Sequence, residues 1–388
     1  MLQFLNRKHV VIHEASGMKQ WQSLALGLIV SVATLAYALH GIDFGSLRDD
    51  FANARYIYLL PSILLVIVGL MLRGLRWRAL LNGRITLPHA FQITNVGYFF
   101  GGLLPFRLGD VARMFLATRI EPPVPVFTSL SSIVVERLTD LLAVVVLVTI
   151  AVSMAPVAPS VVTAAQVSGI LAVVGLIVLA VLAARRAFAT RLVGFFVKRI
   201  GLLQRLNVTQ WVDRLLDGIT PLTTVRGISG ALGWTAAAWA VTAIEAYFLM
   251  AMFYDKPTFY ACFLMIGMGA LAVALPAVPG NVGPFEAAVI YGVQLGGMIT
   301  PDSPALRTRA LAYAVTIHIV NTGMYAFMGW IGLQQERVSL RELLRSARGL
   351  ASRNKTVNPA IDPSAASIDT TATATAAVDP LITSASQK

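Results

Sequence analysis

Two stretches of this sequence place a carboxylate directly after a proline and glycine break in apolar surroundings. Residues 101–110 read GGLLPFRLGD and end in Asp110, and residues 274–286 read ALPAVPGNVGPFE and end in Glu286. Helix breakers and charges are costly in lipid, and are tolerated where irregular backbone is buried in protein or lines a watery cavity. The two breaks predict one transport path, with two ordinary turn-containing loops as the alternative.

Each of these carboxylates allows two interpretations. The N–H groups freed at a helix start favour a phosphate headgroup, whereas the carboxylates themselves favour a cationic headgroup. In the alternative, Asp110 and Glu286 cap the half-helix that returns after each break. The two roles can coexist.

A third group of ionisable residues lies near the start of the apolar segment 126–154. Glu136 and Asp140 are four residues apart and share one helix face, and Arg137 is spaced to pair with Asp140. Charges inside a spanning helix are expensive, so these side chains should face the protein interior or water. They are candidates either for the transport path or for structural ion pairs.

Arginines elsewhere in the first half are the expected partners. Arg73, Arg76 or Arg107 can neutralise the carboxylates, and Arg107 and Arg113 can instead hold a lipid phosphate, because a guanidinium forks onto phosphate oxygens. The predicted substrate-binding residues are Arg73, Arg76, Pro105, Arg107, Gly109, Asp110, Arg113, Glu136, Arg137, Asp140, Pro279, Gly280, Gly283 and Glu286.

Other polar and aromatic residues favour packing over function. Glu245 and His318 are lone polar residues in apolar segments of the second half, and we expect satisfied packing for both. Trp77, Trp234 and Trp239 are interface or core residues rather than a ligand cage.

Composition restricts the class of protein. The chain has 388 residues, of which 56% are hydrophobic and 13% charged, and a soluble domain has about a quarter charged. We therefore expect an all-α polytopic membrane protein.

The net charge of +12 reflects bases between apolar segments, which indicates topology rather than nucleic-acid binding. One cysteine and five histidines predict no disulfide, metal or cofactor, and no catalytic motif is present.

The apolar segments that position these residues fall into two kinds. Six are predicted to span a membrane: 21–39, 58–72, 126–154, 161–184, 228–253 and 311–333. Segment 91–104 gives about 21 Å of helix against a hydrocarbon core of about 30 Å, so it should form a re-entrant hairpin with 111–116. Segments 259–275 and 285–298 predict a second hairpin.

Charge in the connecting segments predicts orientation. Residues 73–84 and 185–226 are strongly basic and should be cytoplasmic, as should both termini. Part of 185–226 is expected to lie on the membrane as an amphipathic helix. The first hairpin then enters from the cytoplasm and the second from outside.

This order predicts two inverted-topology repeats, each of three spanning helices and one re-entrant hairpin. The predicted divisions are a cytoplasmic N-terminus 1–20, repeats 21–154 and 161–333, and a basic juxtamembrane helix with a disordered tail at 335–388. Broken helices at matching positions of two halves are the best sequence pointer to a transporter's substrate site. The tail has too few large apolar residues to fold alone.

Four motifs, in order, resemble the lysylphosphatidylglycerol synthase transmembrane region family, the flippase-like domain also found in the multiple peptide resistance factor of bacteria. They are RGLRW at 73–77, PFRLGD at 105–110 with Arg113, ER at 136–137 with Asp140, and PGNVG at 279–283 with Glu286. The resemblance covers about residues 20–335. The chain departs from the family in Asp110, where Glu is more usual, and in Asn281, where a second Gly is usual.

The resemblance implies lipid translocation from the inner to the outer leaflet without lipid aminoacylation. We expect a lipid flippase of the cytoplasmic membrane that is not an enzyme, with a membrane lipid as substrate. A separately encoded lipid synthase and a second copy of the chain are candidate partners. The alternatives are a membrane glycosyltransferase acting on a polyprenyl carrier, or an accessory subunit or scaffold of a lipid-modifying synthase.

Overall fold

Helices account for every element that can be described in a computed structural model of the protein. The structure describes residues 25–103, 108–154, 159–185, 187–188, 190–191, 215–216, 218–274, 279–299 and 303–338. The predicted N-terminus 1–20, most of the basic segment 185–226 and the tail from residue 339 lie outside these ranges. The helices are α1 (Ala25–Leu39), α2 (Phe44–Ala52), α3 (Leu59–Leu80), α4 (Leu87–Leu103), α5 (Leu108–Ala117), α6 (Val126–Met154), α7 (Pro159–Ala184), α8 (Val225–Phe253), α9 (Phe259–Ala274), α10 (Pro284–Leu295) and α11 (Pro304–Gln335).

Several of these helices begin where a short polar side chain satisfies free backbone N–H groups. Asp43 caps α2, accepting from the N–H groups of Gly45 and Ser46 at 3.1 Å each. Ser303 caps α11, directly before Pro304 at its first position. Both arrangements are standard helix starts, since the first turn has no internal partners for its N–H groups.

Length and composition allow three described helices to cross a membrane. These are Tyr56–Leu80, Val225–Phe253 and Pro304–Gln335, and a fourth span results if α1 and α2, which meet at 78°, are counted as one broken span. Three or four of the six predicted spans are therefore confirmed. Of the other two, α6 has Glu136, Arg137 and Asp140 in its first half, and the apolar part of α7 is limited to Gln166–Leu182.

Helix packing centres on α3 and α8, which make the most extensive contact among the described helices. Within the first half α3 packs on α4, α4 on α5, and α5 on α6; within the second half α8 packs on α9, α9 on α10, and α10 on α11. The halves also exchange contacts, since α4 packs on α11 and α6 packs on α9. The same pairing pattern therefore occurs in both halves.

Both predicted breaks occur between packed helices. The first separates α4 from α5, and the second separates α9 from α10 and contains a 3-10 turn at Pro279–Asn281. Gly280 has φ of 81°, a left-handed conformation that favours glycine. A Cβ at Gly280 would lie 4.0 Å from the carbonyl oxygen of Gly102, so the two breaks lie beside each other.

Candidate functional site

The ionisable residues of the first half form a buried cluster. Arg76, Arg113, Glu136 and Asp140, which we call the arginine–carboxylate cluster, come from α3, α5 and α6. Both Arg113 Nη atoms donate to the Glu136 oxygens at 2.9 Å. Arg76 donates to the two oxygens of Asp140 at 2.5 and 3.2 Å, and its Nη2 lies 3.3 Å from Glu136 Oε1.

Burial explains why these charges are paired. Arg76, Arg113 and Glu136 are exposed by only 0%, 2% and 1%. A charge withdrawn from water this far costs several kcal/mol unless an opposite charge and hydrogen bonds compensate it. The cluster therefore ties three helices together, and it confirms the structural pairing of the carboxylates with Arg76.

Two tryptophans complete the cluster, and both fit the prediction of interface or core residues: Trp77 is fully buried and Trp239 is partly buried. The Arg113 guanidinium lies 4.5 Å from the ring centroid of Trp77, whose Nε1 donates to Ser132 Oγ at 3.0 Å. Trp239 of α8 donates from Nε1 to Asp140 Oδ1 at 2.9 Å. Because Arg113 is held by Glu136 and Trp77, its predicted alternative role of holding a lipid phosphate does not fit this geometry.

Asp110 and Arg137 form a separate ion pair at the first break. Their side chains meet at 2.8 Å and are 20% and 43% exposed. The prediction that Arg137 pairs with Asp140 is wrong, since the Arg137 side chain reaches α5 whereas Asp140 faces Arg76 and Trp239. Gly109, beside Asp110, is packed against α4, and a Cβ there would lie 2.0 Å from the Gly97 carbonyl oxygen.

Arg73 occupies the interface of α3 and α8 without a carboxylate partner among the residues that the structure describes. Its Nη2 donates to Thr242 Oγ1 at 3.0 Å, and its guanidinium lies 5.7 Å from the Tyr98 ring centroid. The Tyr98 ring is 5.0 Å from that of Tyr325. This half-buried guanidinium, predicted to neutralise a carboxylate, is thus held by neutral groups.

The second break is organised by Glu286, in the first turn of α10. Its Oε2 accepts from the Gly283 N–H at 2.7 Å, which confirms the capping interpretation. Its Oε1 lies 2.5 Å from His318 Nδ1 of α11. Glu286 is 7% exposed, so its carboxylate is almost removed from solvent.

Glu245 and His318 are partnered rather than lone residues. Glu245 is 3% exposed and accepts from Asn321 Nδ2 at 2.9 Å. Asn321 and His318 lie three residues apart on α11, so they share one face. That spacing was visible in the sequence, whereas the partner helices were not.

Two predicted site residues, Pro105 and Arg107, lie outside the described residues. Pro279, Gly280 and Gly283 form the second break, beside Glu286. In the described part of the chain no group of three or more His, Cys, Asp and Glu side chains is arranged to hold a metal ion.

Comparison with known proteins agrees with the motifs. A sequence profile of the lysylphosphatidylglycerol synthase TM region matches residues 24–329. The chain belongs to this family. It is a multi-pass membrane protein of the lysylphosphatidylglycerol synthase TM region family, as the resemblance predicted.

One curated relative is distant. The chain is 26% identical over 345 residues to a protein named glycosyltransferase AglD from Haloferax volcanii, a match that covers 80% of this chain and 54% of the relative. The chain thus spans about half the length of that relative. No solved structure matches the chain.

Proposed function

We propose that the protein is a lipid flippase, which moves a phospholipid or a lipid-linked headgroup across the cytoplasmic membrane. In this proposal both termini are cytoplasmic, and a separately encoded synthase supplies the lipid. The headgroup passes the first break, where Asp110 and Arg137 lie, and then the second break, where Glu286 lies.

The exposed ion pair of Asp110 and Arg137 is the observation that carries the proposal. Arg137 lies about 16 Å along α6 from Val126, roughly half the thickness of the hydrocarbon core. Its side chain is nevertheless 43% exposed, between exposed apolar neighbours Val134 and Leu141. An ion pair exposed at that depth is favourable where it faces water rather than acyl chains.

Arg73 supports a headgroup that contains a phosphate. The carboxylates of the arginine–carboxylate cluster are already satisfied by Arg76 and Arg113, so the positive charge of Arg73 is left over. A guanidinium with free donors in a region of low dielectric binds phosphate oxygens strongly. Arg73 lies between α3 and α8, where the two halves meet, and transporter substrate sites occur at such interfaces between repeats.

The contact pattern supports inverted repeats. Because α3–α6 and α8–α11 pack by the same scheme and exchange contacts, a two-fold axis between α3 and α8 would relate them. The three crossings predicted for each half, an odd number, would make that axis lie in the membrane plane. Two such halves can open alternately to either side of the membrane.

The test is lipid movement in reconstituted vesicles. Phosphatidylglycerol with a fluorescent acyl chain is quenched from outside, and the rate at which the inner population becomes accessible is measured for vesicles with and without protein. Asp110→Asn should slow this movement about tenfold, which corresponds to about 1.4 kcal/mol in the barrier. Asp49→Asn, the same change at an exposed position of α2, is the matched control.

Capping alone predicts a different result. Asn caps a helix nearly as well as Asp, so an Asp110 that acted only as a cap would make Asp110→Asn silent in both stability and transport. An Asp110 that acted only as the structural partner of Arg137 would lower stability and leave transport by the folded protein unchanged. A rate equal to wild type in a folded Asp110→Asn protein would therefore contradict a role for the carboxylate in the path.

The name of the curated relative favours one second candidate, a role in glycosyl transfer. In that case the chain is a membrane glycosyltransferase or the membrane subunit of one. Wild-type vesicles that move no anionic, aminoacylated or polyprenyl-linked lipid faster than empty vesicles would favour this candidate. Transfer of a labelled sugar to polyprenyl phosphate would then be the measurement.

A further inference from the structure

A series of polar side chains, joined by hydrogen bonds or by a shared helix face, leads from the interface of the two halves to the second break. Arg73 bonds Thr242 of α8, and Glu245 lies three residues further along the same face of α8. Glu245 contacts Asn321 of α11, and His318, on the same face of α11, contacts Glu286. Glu286 is the last member of this series, and it accepts a hydrogen bond from the Gly283 N–H at the start of α10.

The two carboxylates in this series, Glu245 and Glu286, lack the arginine partners that Glu136 has in the first half. Glu136 has two arginines within 3.3 Å, whereas no described residue forms a guanidinium or ammonium ion pair with Glu245 or Glu286. Glu245 has an amide donor, and Glu286 has an imidazole and one backbone N–H. A buried negative charge held only by such groups is costly.

A proton removes that cost. With a neutral imidazole, the Glu286–His318 pair has one net negative charge, and uptake of one proton from water makes the pair neutral. Release of the same proton to water on the other side restores the charge. An imidazole paired with a carboxylate is a chemically suitable site for reversible proton binding.

We propose that Glu286 and His318, with Glu245 as a second proton-binding residue, form the binding site of a proton that is coupled to movement of the start of α10 at Gly283. Because Glu286 also caps α10, a change in its charge acts directly on the hydrogen bond that holds the start of that helix. A Cβ at Gly283 would lie 2.4 Å from the Ser31 carbonyl oxygen, so movement of this break also requires α1 to adjust.

The neighbouring elements add few other charges. The described residues of α1 have no acidic, basic or histidine side chain. Arg309 of α11 is bound to Asp50 of α2 at 3.0 Å and lies about 13 Å along the helix from His318. The titratable side chains that interact electrostatically with Glu245 include Arg73 on α3, Cys262 on α9, and Tyr313 and Tyr325 on α11.

The first test needs no lipid substrate. In a Cys262→Ala background, a cysteine at Val282, which is 44% exposed beside the break, is labelled with a maleimide in detergent. Its rate is divided by that of a cysteine at exposed Ala52, which corrects for thiol ionisation. This ratio should change several-fold between about pH 5 and about pH 8.

Variants then identify the groups that bind the proton. Glu286→Gln and His318→Gln should both make the ratio independent of pH, and Gln at 286 still caps α10. His89→Gln is the matched control. His89 lies on α4, outside the second break, and forms another His–Glu pair, with Glu336 at 2.8 Å. A wild-type ratio that does not depend on pH, or a His318→Gln protein that keeps the dependence, overturns the proposal.

The second test rests on the proposed lipid transport. For one proton per lipid, a pH difference of one unit across the vesicle membrane should change the leaflet ratio of phosphatidylglycerol about tenfold. His318→Gln and Glu245→Gln should abolish this response while lipid exchange continues. If the wild type moves no lipid but its labelling depends on pH, the flippase proposal fails and the proton site stands. If lipid moves but its distribution does not respond to the pH gradient, and labelling does not depend on pH, the proton site fails and the flippase proposal stands.

Discussion

Single residues in the first half are placed by electrostatics rather than by hydrophobicity. Arg76, Arg113 and Glu136 are as buried as the aliphatic core, and each is stable there because its hydrogen bonds go to an opposite charge. Removing one partner leaves a buried charge without compensation, which is more damaging than removing both. The arginine–carboxylate cluster is therefore highly sensitive to single changes.

Glu136→Gln should destabilise the protein by about 3–5 kcal/mol, because Arg113 and Arg76 lose a buried carboxylate. The measurement is thermal unfolding in detergent, with Asp49→Asn as an exposed control. The double variant Arg113→Met with Glu136→Gln should lose less than the sum of the two single variants, since residues in one ion-pair network are coupled. Additive losses would show that Arg113 and Glu136 do not act as a pair.

At the scale of elements, close helix contacts depend on particular glycines. Gly109 lies at the start of α5, against Gly97 and Gly101 of α4, and no Cβ fits there. Gly101 has no atom within 4 Å of an added Cβ, although it lies in the same sequence motif. The two glycines therefore have different roles in the first hairpin.

Gly109→Ala should separate α4 from α5 and destabilise the protein by about 1–3 kcal/mol, the usual cost of overpacking. Gly101→Ala should be neutral or slightly stabilising, because it adds no clash and a helix favours alanine over glycine. Thermal unfolding of both variants provides the comparison. Equal stability of the two proteins would mean that α4 and α5 are not in direct contact at Gly109.

At the scale of the whole molecule, the arrangement of the halves predicts which loops share a side of the membrane. Thr86, between α3 and α4, follows the basic segment 73–84, whereas Ala52 ends α2 in a segment with Asp43, Asp49 and Asp50. Positive charge remains on the cytoplasmic side, so these two exposed positions should face opposite sides.

Single cysteines in a Cys262→Ala background test this arrangement in intact cells. A cysteine at Thr86 should be protected from an impermeant maleimide, and cysteines at Ala52 and Val282 should react with it. Cells that have been made permeable provide the control, since all three should react there. Reaction of Thr86 in intact cells would remove the inverted repeat, because the halves would then have the same orientation.

The sequence determined the helical class, the family and the positions of both breaks, because these depend on composition and on residues close along the chain. It also predicted that Asp110 and Glu286 begin the helices after the breaks, and the structure places each in the first turn of its helix. These properties need no knowledge of how helices rotate against one another.

Only the tertiary structure decided which charges meet. Arg76 and Asp140 are separated by 64 residues and Glu286 and His318 by 32, and no local pattern specifies such partners. Asp140 is close to Arg137 on the same helix, but Arg137 pairs with Asp110 because α5 packs against α6. Asp140 instead binds Arg76 of α3. Partner choice follows from the relative rotation of packed helices, a property that arises only when the whole chain has folded.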